Sequence, residues 1–199
     1  MHIPHKGAAP ASIDVAAIAI SLLGGAVRGS IPYIFVSLGE CLTEKSGRIN
    51  LGMEGILLMG AMSAFAVSDR TGSPWLGLVA AALAGTLFGL LHALVTELPG
   101  VNDIAAGIAM IIFGSGVAFF FGKQFVAPMA PQLPVIDLGA HVADPAARAA
   151  LRMSPLLFLG ITLAFLLHYA FERTRWGLRL RAVGDAPEAA RSMGIDVVG

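Results

Sequence analysis

The chain of 199 residues carries thirteen acidic side chains, thirteen basic ones and five histidines. Few of these stand where they could do chemistry. The first group lies in Glu44 to Gly60, EKSGRINLGMEGILLMG. Here Asn50 is placed to cap a helix beginning at Leu51, and Glu54 falls in its first turn, where a carboxylate meets the positive end of the helix dipole. Gly47, Gly52 and Gly55 permit a sharp re-entry and close backbone contact. The segment is either a well-capped helix start at a membrane surface or a broken-helix region whose Glu44, Asn50 and Glu54 line a polar path or hold a gate. The second group is His92 with Leu98 to Gly107, LPGVNDIAAG. Pro99-Gly100 makes a turn, and Asn102 or Asp103 caps the next helix. His92 either lines a pathway or packs between helices; no converging set of metal ligands surrounds it. The third group is the tail, Arg175 to Gly199. Asp185 and Glu188 have the capping-box spacing, Pro187 suits a first turn, and Gly194 is a natural stop, which predicts a short helix over 186–193. Ala189 and Ala190 give that helix a flat face able to enter a groove. A surface helix lying among lipid headgroups is the alternative, although such helices favour Trp, Phe or Leu on the apolar face.

The elements that must hold these groups are membrane helices. The chain is 56% hydrophobic and 13% charged, with zero formal net charge and a mean hydropathy of +0.78. Soluble domains carry about twice that charge. Apolar runs approach the roughly 20 residues that cross a bilayer as helix. The expected fold is all-α, a polytopic transmembrane helical bundle of about five spans with a short cytoplasmic coupling helix. Residues 1–12 are expected to be disordered. Within a bundle over 13–171, the first apolar segment, 13–42, contains Gly24-Gly25, Arg28 and Pro32, which should break or bend it. It is either one tilted span or an interfacial helix followed by a short span. Further spans are expected over 51–68, 75–96, 103–122 and 154–171, with a long Pro-rich connection over 123–153. Small residues, Gly85-xxx-Gly89 and then Gly107, Gly114 and Gly116, imply tight helix packing.

Arginines 173, 175, 179 and 181 crowd the end of the last span and place 172–199 in the cytoplasm. By alternation, 43–50 and 97–102 are cytoplasmic and 69–74 and 123–153 lie outside. The single cysteine, Cys41, excludes an internal disulfide and reads as a small apolar residue. Neutral charge gives no support for nucleic-acid binding. No G-x-x-x-x-G-K-[ST], H-E-x-x-H or G-x-S-x-G motif occurs, so nucleotide hydrolysis by the first route and the corresponding hydrolase chemistries lack support.

In combination these segments resemble the inner-membrane permease subunits of bacterial ATP-binding-cassette importers for nucleosides and simple sugars. The resemblance rests on Glu44-x-x-Gly47-x-x-Asn50-Leu51-Gly52-x-Glu54-Gly55 followed by Gly60-Ala61, on His92 and Asn102 through Gly107, and on Gly177 to Gly194 with Arg181, Gly184, Ala189-Ala190 and Gly194-Ile195. It implies a non-enzymatic subunit that binds no cofactor, with ATP on a partner ATPase, and a location in the bacterial inner membrane. It also implies a second permease subunit, identical or different, and an extracytoplasmic substrate-binding protein delivering near 123–153. On the same grounds, Gly177, Arg181, Gly184, Asp185, Glu188, Ala189, Ala190 and Gly194 would couple to the ATPase. Glu40 and Ile111 depart from the family pattern, where a small residue and a polar Asn are usual. Family members continue for several further spans, so the chain is expected to be the N-terminal part of a permease. An ion-coupled secondary transporter, with Glu54 and His92 as its only candidate ion sites, and a non-transporting membrane scaffold are the other readings.

Overall fold

The computed structural model describes residues 15–125 and 129–195. The expected disordered start, 1–12, lies outside the described residues. Eight helices follow in chain order: α1 Val15–Lys45, α2 Met53–Thr71, α3 Pro74–Thr96, α4 Asp103–Gly122, α5 Pro145–Ala150, α6 Pro155–Arg173, α7 Arg175–Asp185 and α8 Pro187–Ser192. A 3₁₀ turn, Lys123–Phe125, and two short strands, β1 Ile136–Asp137 and β2 Arg152–Met153, complete the described elements.

Local chemistry sets the helix starts. Ser73-Pro74, Asp144-Pro145 and Ser154-Pro155 open α3, α5 and α6, each with the polar side chain accepting a backbone N–H of the first turn and proline inside it. Asn102 caps α4, its Oδ1 accepting from Ile104 N at 2.9 Å and Ala105 N at 3.2 Å. Gly72, at φ 69°, ends α2 in the left-handed conformation.

Among the described residues, α1, α3, α4 with its 3₁₀ extension, and α6 are long and apolar enough to cross a membrane. The second expected span, α2, is as long as α6 but carries Glu54 near one end and Asp69 and Arg70 near the other. It packs between α3 and α4. The bundle thus has two groups: α2 with α3 and α4, and α1 with α5, α6 and α7.

The first helix is not broken. It runs through Gly24-Gly25, Arg28 and Pro32 for 31 residues, about 46 Å at 1.5 Å per residue, longer than the ~30 Å hydrocarbon core. Pro32 costs one backbone hydrogen bond, to the Arg28 carbonyl, which a long helix absorbs. Gly24 has a packing reason instead: a Cβ there would stand 2.6 Å from the Ala150 Cα of α5. Beside it, Arg28 Nη1 donates to the Ala149 carbonyl at 3.0 Å, near the C-terminus of α5.

The described part of the 123–153 connection contains built elements. β1 and β2 pair antiparallel, Ile136 with Met153 and Asp137 with Arg152, and enclose α5. Arg148 pairs with Asp137 at 3.1 Å. This unit seats on the first half of α1. Since α1 then runs to the turn at 46–52, its start and the 123–153 connection share one end of the bundle, and the tail lies at the other.

The small residues divide into two kinds. Gly107 and Gly114 make close backbone approaches, whereas Gly85 meets only the Ile56 side chain at 3.8 Å, and Gly89 and Gly116 have open space beside them. The tight point of α3 is Gly77, against Ala64 and the buried Ser68 of α2.

Candidate functional site

The three sequence groups meet at the tail end of the bundle. The turn between α1 and α2 is shaped by Gly47, at φ 82°, and by Gly47 N donating to the Glu44 carbonyl at 2.9 Å. Asn50 does not cap α2. That helix starts at Met53, with Gly52 at the N-cap and no side-chain cap. Asn50 is instead buried in the turn, where its Oδ1 accepts from Gly52 N at 2.9 Å and its own N–H donates to Glu40 Oε1 at 3.2 Å. Sequence reasoning missed the role of Glu40, an acid inside an apolar run. Its unusual place in that run was the available signal.

The turn is tied to the second group by Arg48. Its guanidinium donates to Asp103 Oδ1 at 2.9 Å and to the Thr96 carbonyl at 3.3 Å. One side chain thereby holds the end of α3 and the start of α4 beside the α1–α2 turn. Backbone contact reinforces it. A Cβ on Gly107 would lie 2.9 Å from Leu51 N, one on Gly52 2.8 Å from the Met110 Cβ, and one on Gly114 2.7 Å from the Gly55 carbonyl oxygen. Only glycine lets α2 and α4 cross this closely. His92 is buried in α3, and its Nδ1 has no hydrogen-bond partner among the described residues. Glu40 Oε2 is likewise buried and unpartnered among them. Glu44 and Glu54 are exposed, so the candidate gate residues do not form one cluster.

The tail differs from its expected form in three ways. It contains a further helix, α7, capped by Thr174 Oγ1 accepting from Gly177 N at 3.1 Å. Asp185 ends α7 rather than capping α8, whose N-cap is Ala186 with no side-chain bond. Ala189 and Ala190 do not share a face: Ala190 is 2% exposed, the most covered of the buried apolar residues, while Ala189 is exposed. The stop at Gly194 is present, at φ 79°, with Ile195 N donating to the Ala190 carbonyl at 3.1 Å. Glu188 pairs with Arg191 at 3.4 Å on the exposed side of α8, and Arg181 with Glu172 of α6 at 3.1 Å.

Two glycines fix where the tail sits. Gly177 presses on the last turn of α6, where a Cβ would stand 2.5 Å from the Phe171 Cα and carbonyl oxygen. Gly184 presses on the α1–α2 turn: a Cβ on Gly47 would stand 2.9 Å from the Gly184 Cα, and one on Gly184 2.9 Å from Gly47 N. Between the tail and this turn opens a cleft of about 890 Å³, lined by Arg48, Glu97, Trp176, Val183 and Pro187 among others. Among the described residues, no group of three or more His, Cys, Asp or Glu is placed to hold a metal ion.

This architecture is that of a polytopic membrane permease, and the chain belongs to the family described as branched-chain amino acid transport system / permease component, whose model matches residues 21–199. It is 31% identical over 191 residues to the nucleoside ABC transporter permease protein NupC of Lactococcus lactis, covering 84% of this chain and 57% of the relative. It is 28% identical over 198 residues to the guanosine ABC transporter permease protein NupQ of Bacillus subtilis, covering 93% and 62%. TsgC13 of Haloferax volcanii, provisionally named as a glucose ABC transporter permease, is 29% identical over 184 residues, covering 90% and 56%. The chain thus spans a little over half the length of these relatives. No solved structure matches it at a significant level.

Proposed function

We propose that the chain is a transmembrane permease subunit of an ATP-binding-cassette importer that carries a nucleoside or a simple sugar. Family membership supports the permease role, and the printed names of the relatives supply the cargo class. The scarcity of charge within the spans suits an uncharged, hydroxyl-rich molecule. ATP would be hydrolysed on a separate ATPase chain, and the subunit itself would do no covalent chemistry. A second permease subunit would complete the path, and an extracytoplasmic binding protein would approach the α5 and β1–β2 face.

The observation that carries this reading is the Gly47–Gly184 contact. Through it the tail bears directly on the α1–α2 turn, and through Arg48 that turn bears on the ends of α3 and α4. A push on α8 would reach three membrane helices without crossing any flexible segment, as a rigid-body transition requires. In this scheme Ala189, exposed on α8, is where the ATPase seats, and the buried Ala190 anchors α8 to the rest of the tail.

The test is Ala189→Asp in the assembled transporter, in right-side-out vesicles with ATP enclosed and the binding protein outside. Uptake should fall by roughly tenfold or more, because an unpaired carboxylate pressed into an interface costs at least the ~1.4 kcal/mol that tenfold represents. Insertion should be unchanged, and ATP hydrolysis should continue uncoupled. Normal uptake would remove the docking role. Retention of the ATPase from detergent extracts should also require residues 185–194.

A further inference from the structure

Among the described residues, three buried side-chain polar atoms have no hydrogen-bond partner: Glu40 Oε2, His92 Nδ1 and Arg181 Nε. Arg181 is anchored through its Nη1, which donates to Glu172 of α6. The other two belong to the last turns of α1 and α3, and one short piece of chain bonds toward both. On one side Glu40 Oε1 accepts the Asn50 N–H at 3.2 Å. On the other, Arg48 Nη1 donates to the Thr96 carbonyl at 3.3 Å, and Thr96 Oγ1 donates to the His92 carbonyl at 3.0 Å. Glu40, Asp103 and Arg48 are the charged groups near enough to act on the His92 ring. Of these, Arg48 and Asp103 pair with each other at 2.9 Å, and Glu40 pairs with no cation among the described residues.

A buried polar atom left without a partner costs more than an ordinary hydrogen bond contributes, and His92 is only 5% exposed. No ion pair or hydrogen bond joins Glu40 to His92 directly. What satisfies both atoms must therefore be a third group that serves two acceptors, or one acceptor and one donor. Water does either. With the imidazole proton on Nε2, one water donates to Nδ1 and to Glu40 Oε2. With the proton on Nδ1, the water accepts from the ring and donates to the carboxylate. A side chain of a partner subunit cannot reach atoms that have no accessible surface.

We propose that Glu40 and His92 enclose one ordered water and with it form a polar joint between the cytoplasmic ends of α1 and α3. The joint is separate from the Arg48 link, which holds the α1–α2 turn rather than α1 itself. Glu40 and His92 are positioning residues, and this part of the proposal rests on the importer reading. Movement of the turn pulls on Asn50 and so on Glu40, and the water passes it to α3.

The first test is hydroxyl-radical labelling of the full chain by brief X-ray pulses, in which a bound water makes the radical where it sits. His92 should be oxidised several-fold faster than Phe171, which is equally covered at 5% exposed, and a radical scavenger in the bulk solvent should not slow it. Glu40→Leu should remove the His92 label. An unlabelled His92, or labelling that the scavenger suppresses, would overturn the water site. The second test uses Glu40→Leu, His92→Leu and the double variant in the assembled transporter. Each single change strands the other polar atom, so each should lower the detergent melt by a few degrees, and the double should recover most of that loss. Uptake per ATP hydrolysed should fall several-fold in all three, and Glu40→Gln, which can still accept from Asn50 and meet the water, should rescue most of it. Recovery of this ratio in the double along with its melt would make the pair merely structural and overturn the positioning role. The labelling and the melts do not depend on the importer reading, so its failure and theirs are distinguishable.

Discussion

The crossing of α2 with α4 and the contact of α1 with α6 are held together differently. Between α2 and α4 the close approaches involve backbone. Gly52, Gly55, Gly107 and Gly114 line one crossing, and Gly77 meets α2 at another. Between α1 and α6 the corresponding glycine, Gly160, faces the side chains of Ile34 and Phe35, with the Ile34 Cγ2 3.0 Å from where a Cβ would be. A backbone contact has no rotamer to change, whereas a side-chain contact can yield by a bond rotation. The α2–α4 pair should therefore move as one body. The α1–α6 pair can adjust its packing as it moves, although Gly24 against Ala150 of α5 and Gly177 against Phe171 of α6 are backbone approaches in the same group.

The sharpest way to break this contrast is Gly55→Val. A Cβ at Gly55 meets the Met110 carbonyl group and stands 3.1 Å from the Ile111 Cα. Overpacking against backbone costs about 1–3 kcal/mol or more. Most of the chain should fail to accumulate as an extractable, monodisperse species. Normal accumulation and an unchanged detergent melting temperature would show that the α2–α4 crossing is not rigid. A smaller loss is expected from Asn102→Ala, which removes both cap bonds of α4 and costs about 1 kcal/mol. Its detergent melt should shift down by a few degrees, and no shift would mean that neighbouring water replaces the cap. The smallest effect sharpens the contrast from the other side. Gly160→Ala should leave the melt nearly unchanged, because the Ile34 side chain can turn away and alanine favours helix by about 1 kcal/mol over glycine. A loss as large as that at Gly55 would make the two contacts mechanically alike.

Much of the bundle was legible because hydropathy and capping are local. The spans over 75–96, 103–122 and 154–171 fall within a residue or two of α3, α4 and α6, and Asn102 caps the helix it was expected to cap. Asn50 looked equally suited to capping. Its role was taken by the turn geometry, because Glu40, ten residues earlier, reaches its N–H. Of the two readings of 13–42, the single helix is the one observed, and Gly24 and Arg28 within it serve contacts with α5, more than a hundred residues away, that no local pattern announces. In the tail, the arginines at 173, 175, 179 and 181 mark a cytoplasmic segment but carry no apolar period that would announce α7. The burial of Ala190 and the exposure of its neighbour depend on how α8 seats, which is tertiary information.

The Gly47–Gly184 contact also constrains how the sequence can drift. Each backbone occupies the space that a side chain on the other would need, and Gly47 additionally holds a left-handed conformation. Two positions far apart in the gene thus share one small volume. A side chain gained at either cannot be relieved by trimming the other, since neither has anything left to remove.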